Sequence, residues 1–431
     1  MLTDNSFKNA KTSLLLGAYT STKDKEACED YLGELERLCD TYGLQTVAKV
    51  ASPIKKIDAG SFLGSGKLDE LLQTADELGA DVIVFDDEIT PNQQRNLEKF
   101  FARPVIDRTE LIIEVFAERA QTREARLQVE LAKVKYQLPR LKRMWTHLSR
   151  QTGSGGGGAG GYLRGAGELQ IELDRRLLKT RIAQLQKELK EVEKQRETQR
   201  RQRLRTTIPT FAIVGYTNAG KSTLLTALTK AEVLVEDKLF ATLDTTTRKF
   251  VLPNRQEVLL IDTVGFIRKI PHTLVAAFKS TLEEAVHTDI LLHMIDVSHP
   301  MAELQAEATM HVLKELKADN RPIINILNKI DANQDRGILQ RLRIKYPKTV
   351  PLSALTGEGF DHLMELMIKE VGSLRKIFSL RIPQSHYALV SEIMREGRVI
   401  SCEYDENDVL LKVEIPNRLE SKIHSFTHES T

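Results

Sequence analysis

The sequence predicts a multidomain α/β protein, and three observations carry that prediction. At 431 residues the chain is too long for one core and fits about three domains of about 100–200 residues each. Two separate stretches alternate short apolar runs with helical patterns, which is typical of parallel sheets covered by helices. Between them lies a charged region with heptad spacing, and a short last segment has three strand patterns around one helical pattern. We therefore expect an N-terminal parallel α/β domain with a long helical hairpin, a second α/β domain, and a small C-terminal α+β domain.

The composition is normal for a globular protein, with 41% hydrophobic and 28% charged residues. The sequence has no run of about 18 apolar residues, and its start lacks the pattern of a secretory signal. The three cysteines, Cys28, Cys39 and Cys402, are scattered without metal spacing, as expected of thiols in a reducing compartment. We expect a cytoplasmic monomer, in part associated with the membrane periphery but without membrane insertion.

Residues 1–108 are predicted to form the N-terminal α/β domain. Segments such as "ACEDYLGELERLCDTYG" carry helical periodicity between apolar runs that predict buried parallel strands. These runs are "SLLLGAY" (Ser13–Tyr19), "TVAKVA" (Thr46–Ala51), "DVIVFDD" (Asp81–Asp87) and "PVIDR" (Pro104–Arg108). The stretch "FLGSGKLDEL" (Phe62–Leu71) contains Gly64, Gly66 and Lys67 without the full spacing of a phosphate loop. It is interpreted either as a turn before a helix or as a second phosphate site.

Residues 109–205 are predicted to form an antiparallel helical hairpin. Apolar residues at steps of four and three define two heptad seams, and Pro139 should kink the first helix. The first seam is Leu127, Leu131, Val134, Leu138, Leu141, Trp145 and Leu148, and the second is Leu178, Ile182, Leu185, Leu189 and Val192. A loop at 152–168 joins the two helices. Eleven of its seventeen residues are glycine or alanine, so we expect this loop to be mobile.

The hairpin is strongly basic, with 22 Lys and Arg against 9 Asp and Glu from Arg119 to Arg205. This excess favours a polyanionic partner, although a solvated pair of charged helices would also explain it. Tyr162 and Arg164, in the glycine-rich loop, are candidates for RNA contact. An aromatic ring can stack on unpaired bases, and a guanidinium group can bind phosphate.

Residues 206–374 again alternate strand and helix patterns, and they contain "GYTNAGKS" (Gly215–Ser222) between a strand and a helix. This is the G-x-x-x-x-G-K-S pattern of a phosphate-binding loop. Its glycines let the backbone N–H groups surround phosphates, Lys221 neutralises the β- and γ-phosphates, and the Ser222 hydroxyl binds Mg²⁺. The candidate nucleotide-binding residues of this loop are Gly215, Tyr216, Thr217, Asn218, Ala219, Gly220, Lys221, Ser222 and Thr223.

Two further motifs supply the groups that respond to the γ-phosphate. In "LLIDTVGF", Asp262 ends an apolar strand and can reach Mg²⁺ through a water molecule. Gly265 can present its backbone N–H to the γ-phosphate, and the chain after it is expected to act as a mobile switch. The stretch "ATLDTTTRKF" (Ala241–Phe250) is the expected first switch, from which a threonine must bring its hydroxyl to the metal.

The motif "NKID" (Asn328–Asp331) predicts that the base is guanine. The Asp331 carboxylate can accept hydrogen bonds from the N1–H and the exocyclic amine of guanine, a donor pair that adenine lacks. Asn328 and Lys329 would support the site, and in "SAL", Ser353 and Ala354 would place a backbone N–H at the guanine O6. Four motifs in this order predict a Ras-like P-loop GTPase domain whose substrate is GTP.

Residues 375–431 are predicted to form the C-terminal α+β domain. The runs "FSLRIP", "VISCEYDE" and "VLLKVEIP" predict strands around a helix at Tyr387–Glu396.

Taken together, these motifs resemble those of the HflX family of ribosome-associated GTPases over nearly the whole chain. The resemblance rests on "FLGSGKLDEL", the basic hairpin with "GGYLRGAGE", "GYTNAGKS", "DTVGFIRKIP" and "NKID". It implies binding to the large (50S) ribosomal subunit and its rRNA, hydrolysis of GTP stimulated by the ribosome, and splitting or rescue of ribosomes under stress. It also implies that the glycine-rich loop reaches toward the peptidyl-transferase region, and that ATP binds the N-terminal domain.

The sequence departs from the family pattern at two places. The first switch of the family has Asp-Pro-Thr where this chain has Asp244-Thr245-Thr246. Alignment makes Thr246 the third candidate metal ligand beside Ser222 and Asp262, although Thr245 and Thr247 leave the register open. The candidate catalytic residues are then Lys221, Thr246 and Gly265. The usual Arg-Gly-Pro-Gly of the loop is here Arg164-Gly165-Ala166-Gly167, which should loosen its tip.

The position after Gly265 is occupied by Phe266, where Ras-like enzymes have a glutamine that orients the attacking water. We therefore expect slow hydrolysis in the absence of a partner. Asn218 resembles the loop asparagine of potassium-stimulated GTPases, so K⁺ is a candidate cofactor beside Mg²⁺, although Asn218 could equally serve only to shape the loop. The alternative function is a GTPase switch that uses its coiled coil to bind a protein or membrane partner.

Overall fold

A computed structural model describes residues 9–141, 162–204, 208–229, 246–269, 287–333, 335–405, 407–416 and 419–423, with Phe7, Leu239, Phe240 and Phe426. The chain forms two compact units. The first contains residues 1–193, 235–244 and 267–280, and the second contains 194–234, 245–266 and 281–431.

The N-terminal part of the first unit is a parallel four-stranded sheet of order β2-β1-β3-β4, as the apolar runs predict. Its strands are β1 (Thr12–Tyr19), β2 (Gln45–Pro53), β3 (Val82–Phe85) and β4 (Val105–Asp107). The helices that connect and follow these strands are α1 (Lys25–Tyr42), α2 (Ser65–Glu77), α3 (Pro91–Phe101) and α4 (Arg108–Arg119). Strands β1, β3 and β4 are mostly buried, as their nearly continuous apolar sequence predicts, whereas most residues of the edge strand β2 are half-buried or exposed.

The helical hairpin consists of α5 (Arg123–Gln137), a 3₁₀ turn at Leu138–Arg140, and α6 (Tyr162–Leu204). The heptad seams pack against each other, since Leu127, Leu131 and Val134 form one buried cluster with Leu178 and Leu185. The 3₁₀ turn contains Pro139, where the sequence predicts a kink in the helix. Trp145 and Leu148, predicted as the end of the first seam, lie outside the described residues.

The predicted C-terminal end of the glycine-rich loop is wrong. The loop was predicted to run from 152 to 168, but α6 begins at Tyr162, so residues 162–168 are helical. Extending a helix that already exists requires less free energy than starting one, and α6 continues for 43 residues. Residues 152–161 lie outside the described part of the chain, as do the side chains of Tyr162 and Arg164.

The second unit contains a six-stranded sheet of order β10-β9-β8-β5-β7-β6, with only β6 antiparallel to its neighbour. The strands are β5 (Thr210–Gly215), β6 (Thr246–Val251), β7 (Glu257–Asp262), β8 (Ile290–Asp296), β9 (Ile323–Asn328) and β10 (Thr349–Pro351). The helices are α7 (Lys221–Thr229), α8 (Ala302–Glu315), α9 (Arg336–Lys345) and α10 (Phe360–Ser373). Because β5, β7 and β9 are parallel, the motifs that follow them lie at one edge of the sheet.

The C-terminal segment forms an antiparallel sheet of order β11-β13-β12, as the α+β prediction requires. Its elements are β11 (Arg375–Pro383), α11 (Tyr387–Glu396), β12 (Arg398–Asp405), β13 (Asp408–Pro416) and α12 (Glu420–Ile423). Val390 and Ile393 of α11 share a buried cluster with Leu411 and Val413 of the central strand.

Two networks of buried charges lie within the first unit. The Asp107 carboxylate, fully buried at the start of α4, accepts hydrogen bonds from the backbone N–H groups of Ile89 and Glu110 and from the Tyr136 hydroxyl. It also pairs with Arg140 at 3.3 Å. These bonds connect the sheet domain to the end of the first hairpin helix.

The second network centres on Asp86, at the end of β3. Its carboxylate contacts Arg108 at 2.9 Å, Arg268 at 2.9 Å and Lys269 at 3.0 Å. The guanidinium of Arg268 also lies 3.3 Å from the ring centroid of Tyr31. Burial alone would raise the pKa of Asp86, but the three positive charges hold it below its ordinary value.

Within the described residues, no helix combines the length and apolar character that a membrane span requires.

Candidate nucleotide-binding site

The loop between β5 and α7 adopts a backbone conformation that depends on its two glycines. Gly215 has φ 156° and Gly220 has φ 94°, values that other residues rarely adopt. A Cβ at Gly215 would lie 2.5 Å from the Met294 carbonyl oxygen, and one at Gly220 would lie 2.3 Å from Asn328 Nδ2. The loop is therefore packed tightly against β8 and β9. It precedes the N-terminus of α7, where backbone N–H groups can donate hydrogen bonds to phosphate oxygens.

Lys221, the first residue of α7, is buried within this loop. Its Nζ atom donates to the carbonyl oxygen of Tyr216 at 2.7 Å and to that of Gly215 at 3.3 Å. Burial lowers the pKa of Lys221 to about 8, although the Asp262 carboxylate opposes the shift. An anion bound in the loop would favour the charged ammonium form and raise this pKa again.

Two of the three oxygen ligands predicted for Mg²⁺ are already in hydrogen-bond contact. Ser222 Oγ donates to Asp262 Oδ2 at 2.8 Å, and Asp262 is fully buried at the end of β7. Thr246 is the first residue of β6 and pairs with Asp262 in the antiparallel ladder. A hydroxyl and a carboxylate beside a phosphate loop are hard oxygen donors of the kind that Mg²⁺ prefers, so the residues fit the metal.

The start of the second switch lies directly against the phosphate loop. Thr217 N–H donates to the Phe266 carbonyl oxygen at 2.7 Å, and Phe266 N–H donates to the Gly215 carbonyl oxygen at 3.0 Å. A Cβ at Gly265 would lie 2.7 Å from Lys221 Nζ and 2.8 Å from Thr217 Cα. The gap between Gly265 and Lys221 is thus smaller than a methyl group. A phosphate placed between them therefore requires Gly265 or the Lys221 side chain to move.

Asn328 connects the residues predicted to recognise the base. Its Nδ2 donates to the Ala219 carbonyl oxygen at 2.7 Å, and its Oδ1 accepts from Ala354 N–H at 2.9 Å. One side chain therefore joins the phosphate loop to the loop after β10. Ser353 closes that second loop, because its Oγ accepts from Thr356 N–H. Asp331 is exposed in the turn after β9, where a base can reach its carboxylate.

One residue of this site was missed by the sequence reasoning. Asp296, at the end of β8, pairs with Lys329 Nζ at 2.7 Å and fixes the direction of that side chain. The available signal was the position of Asp296 at the end of an apolar strand, next to the strand that ends in Asn328.

The structure brings most of the predicted site residues together. The phosphate loop contacts the metal pair through Ser222, the second switch through Thr217, and the base-reading residues through Ala219. Asp244 and Thr245 of the first switch lie outside the described residues. In the N-terminal domain, Lys67 pairs with Glu70 one turn later at 2.7 Å, which supports the interpretation of "FLGSGKLDEL" as a turn before a helix. The fold and these linked motifs define the chain as a P-loop GTP hydrolase.

Comparisons with known proteins agree with this class. Three family profiles match: "GTP-binding GTPase N-terminal" at residues 29–117, "GTP-binding GTPase Middle Region" at 119–203 and "50S ribosome-binding GTPase" at 210–329. The GTPase HflX of Chlamydia pneumoniae is 46% identical over 415 residues, which is 96% of this chain and 88% of the relative. The GTPase HflX of Escherichia coli is 42% identical, covering 92% of this chain and 91% of the relative. The chain belongs to the HflX GTPase family.

A solved structure, the complex of SsGBP with GDP, is also similar to this chain. It has 26% sequence identity and a TM-score of 0.49, and the match covers 84% of this chain and 99% of SsGBP.

Proposed function

We propose that this GTPase binds the large (50S) ribosomal subunit and its rRNA, hydrolyses GTP faster when bound, and splits or rescues ribosomes under stress. The observation that carries the nucleotide-binding part of the proposal is the direct linkage of the phosphate loop to the base-reading residues through Asn328. The match of residues 210–329 to a "50S ribosome-binding GTPase" profile and the basic hairpin support the choice of partner.

In the proposed mechanism, the phosphate loop and Lys221 hold the β- and γ-phosphates, and Gly265 presents its backbone N–H to the γ-phosphate once it has moved. Ser222, Asp262 and Thr246 would hold Mg²⁺, which supplies positive charge to the phosphate oxygens. Asn218, with φ 60° in the loop, is the candidate ligand for K⁺. ATP at the N-terminal domain stays a prediction without a described site.

Nucleotide specificity gives the first test, which uses Asp331→Ala. Its carboxylate would accept two hydrogen bonds from guanine, each contributing about 1.5–3 kcal/mol because the acceptor is charged. We expect the variant to bind GDP about 10²- to 10⁴-fold more weakly in calorimetry, with no change for adenine nucleotides. Asp319→Ala, which removes another exposed carboxylate of the second unit, should bind GDP like the wild type. Equal binding of guanine and adenine nucleotides by the wild type would contradict the proposed specificity.

Ribosome binding gives the second test. The full-length protein should sediment with purified large subunits in the presence of a non-hydrolysable GTP analogue at physiological salt. Arg175, Arg176 and Lys179 are exposed on α6, and replacing all three by Gln should reduce the bound fraction because phosphate contacts dominate such affinity. Absence of the wild type from the subunit fraction would instead favour the alternative of a protein or membrane partner.

A further inference from the structure

We propose that the hydroxyl group of Thr217 is the side-chain group that orients the attacking water during hydrolysis of GTP. The proposal rests on the GTPase function proposed above and adds a catalytic residue to it. Phe266 occupies the position of the water-orienting glutamine of Ras-like enzymes, and its buried side chain cannot hydrogen-bond to water. The reaction therefore needs another polar group near the γ-phosphate, or it depends on the backbone alone.

The hydroxyl of Thr217 is buried without a hydrogen-bond partner. Its Oγ1 atom is inaccessible and makes no hydrogen bond to any residue that the structure describes. A buried polar atom of this kind carries an unfavourable desolvation free energy of about 1–3 kcal/mol unless a ligand or water satisfies it. Two neighbouring hydroxyls already have partners: Thr263 donates to the Ile213 carbonyl oxygen at 2.7 Å, and Ser222 donates to Asp262.

Thr217 also lies against the start of the second switch. Its backbone N–H is bonded to Phe266, and a Cβ at Gly265 would lie 2.9 Å from Thr217 Cγ2. The attacking water approaches the γ-phosphorus in line with the bond to the β-phosphate, from the side of the second switch. When Gly265 moves to admit the terminal phosphate, the space beside Thr217 is the space that a water molecule would occupy.

A threonine hydroxyl can fill this role without being ionised, because it has one donor and two acceptor positions. Oγ1 would accept a hydrogen bond from the water and donate one to a γ-phosphate oxygen. In the reaction the water oxygen bonds to the γ-phosphorus, and the bond from phosphorus to the bridging oxygen breaks, leaving its electron pair on GDP. The proton lost by the water passes to a phosphate oxygen, so Thr217 gains and loses no proton overall.

The test compares Thr217→Val with Thr217→Ser in the full-length protein. Valine keeps the β-branched shape and removes only the hydroxyl, whereas serine keeps the hydroxyl. Single-turnover hydrolysis of GTP without ribosomes should slow about 10²-fold in Thr217→Val, the size expected for losing one positioned hydrogen-bonding group. Its Kd for GDP should stay within about twofold of the wild-type value, and Thr217→Ser should retain most of the wild-type rate.

Thr229→Val is the matched control. It makes the same change at a hydroxyl that is already bonded to the Leu225 carbonyl oxygen on α7, and it should hydrolyse GTP like the wild type. A normal rate in Thr217→Val, a loss of GDP affinity as large as the loss of rate, or a Thr217→Ser variant as slow as Thr217→Val would each overturn the proposal. A wild type that binds guanine nucleotides but does not hydrolyse GTP would contradict the proposed GTPase function itself.

Discussion

The N-terminal domain and the phosphate loop differ in how completely their buried polar groups are hydrogen-bonded. In the N-terminal domain, the Asp107 carboxylate accepts two backbone N–H groups and the Tyr136 hydroxyl, and it pairs with Arg140. In the phosphate loop, Thr217 Oγ1 is buried and has no partner among the described residues. Asp331, also at that site, has no ion pair or side-chain hydrogen bond within the described part of the chain.

This difference distinguishes groups that stabilise the fold from groups that gain partners when a ligand binds. A charge with a complete set of partners can be buried permanently, because its hydrogen bonds and ion pairs offset the loss of hydration. A group whose partners are incomplete gains them only when something binds. Stability should therefore depend on Asp107 and ligand binding on Asp331 and Thr217.

The largest expected effect on stability is that of Asp107→Ala. Removing the carboxylate leaves the Arg140 guanidinium buried without its charged partner, and such changes destabilise by about 3–5 kcal/mol. Asp331→Ala should change the free energy of unfolding by less than about 0.5 kcal/mol, because that side chain is exposed. Urea unfolding followed by far-ultraviolet circular dichroism, to which the helices and strands of both units contribute, would compare the two variants. Equal losses of stability in the two variants would contradict the distinction.

His293 on β8 is a second buried group with an incomplete set of partners, but it is not one of the predicted site residues. It therefore tests whether such a group always serves to bind a ligand. Its Nδ1 contacts Asn325 Oδ1 at 2.9 Å, whereas its Nε2 has no partner among the described residues. Burial lowers the pKa of His293 to about 4, while the hydrogen bond to Asn325 acts in the opposite direction. The imidazole is therefore neutral in the folded protein, which makes the missing partner tolerable.

The depressed pKa predicts a loss of stability in mild acid. An unfolded histidine binds a proton below about pH 6.5, but the folded protein keeps His293 neutral down to about pH 4. The part of the stability that depends on His293 is thus fully present well above pH 6.5 and is lower by about 2 kcal/mol at pH 5. His293→Gln should remove this part of the slope in urea unfolding of the second unit. A wild-type slope in His293→Gln would show that His293 does not cause this loss of stability.

The sequence predicts those parts of the molecule that depend on local pattern. The apolar runs predict the four strands of the first sheet and strands β5, β7, β8 and β9 of the second, and the spacing of Gly215, Gly220 and Lys221 predicts the phosphate loop. Strand β6 was not predicted, because its sequence, "TTRKFV", has no apolar run. The prediction that the loop extends to residue 168 was wrong, because glycine content describes the local freedom of the backbone and not the neighbouring helix that extends into this stretch. The contacts of Asp296 with Lys329 and of Asp107 with Arg140 join residues that are 33 positions apart in each case, so only the folded arrangement reveals them.

The smallest expected effect is that of an exposed member of the Asp86 network. It tests whether such a residue contributes to the free energy of unfolding. Lys269 joins the network of Asp86 and also contacts Asp87, but its side chain is 39% exposed, whereas that of Arg108 is 2% exposed. Water and salt screen an exposed ion pair, so Lys269→Ala should destabilise the first unit by at most about 1 kcal/mol, and by less at about 1 M salt. Urea unfolding at low and high salt would measure this difference. A loss as large as that of Asp107→Ala, and insensitive to salt, would mean that the number of partners and not their burial determines how much such a network stabilises the fold.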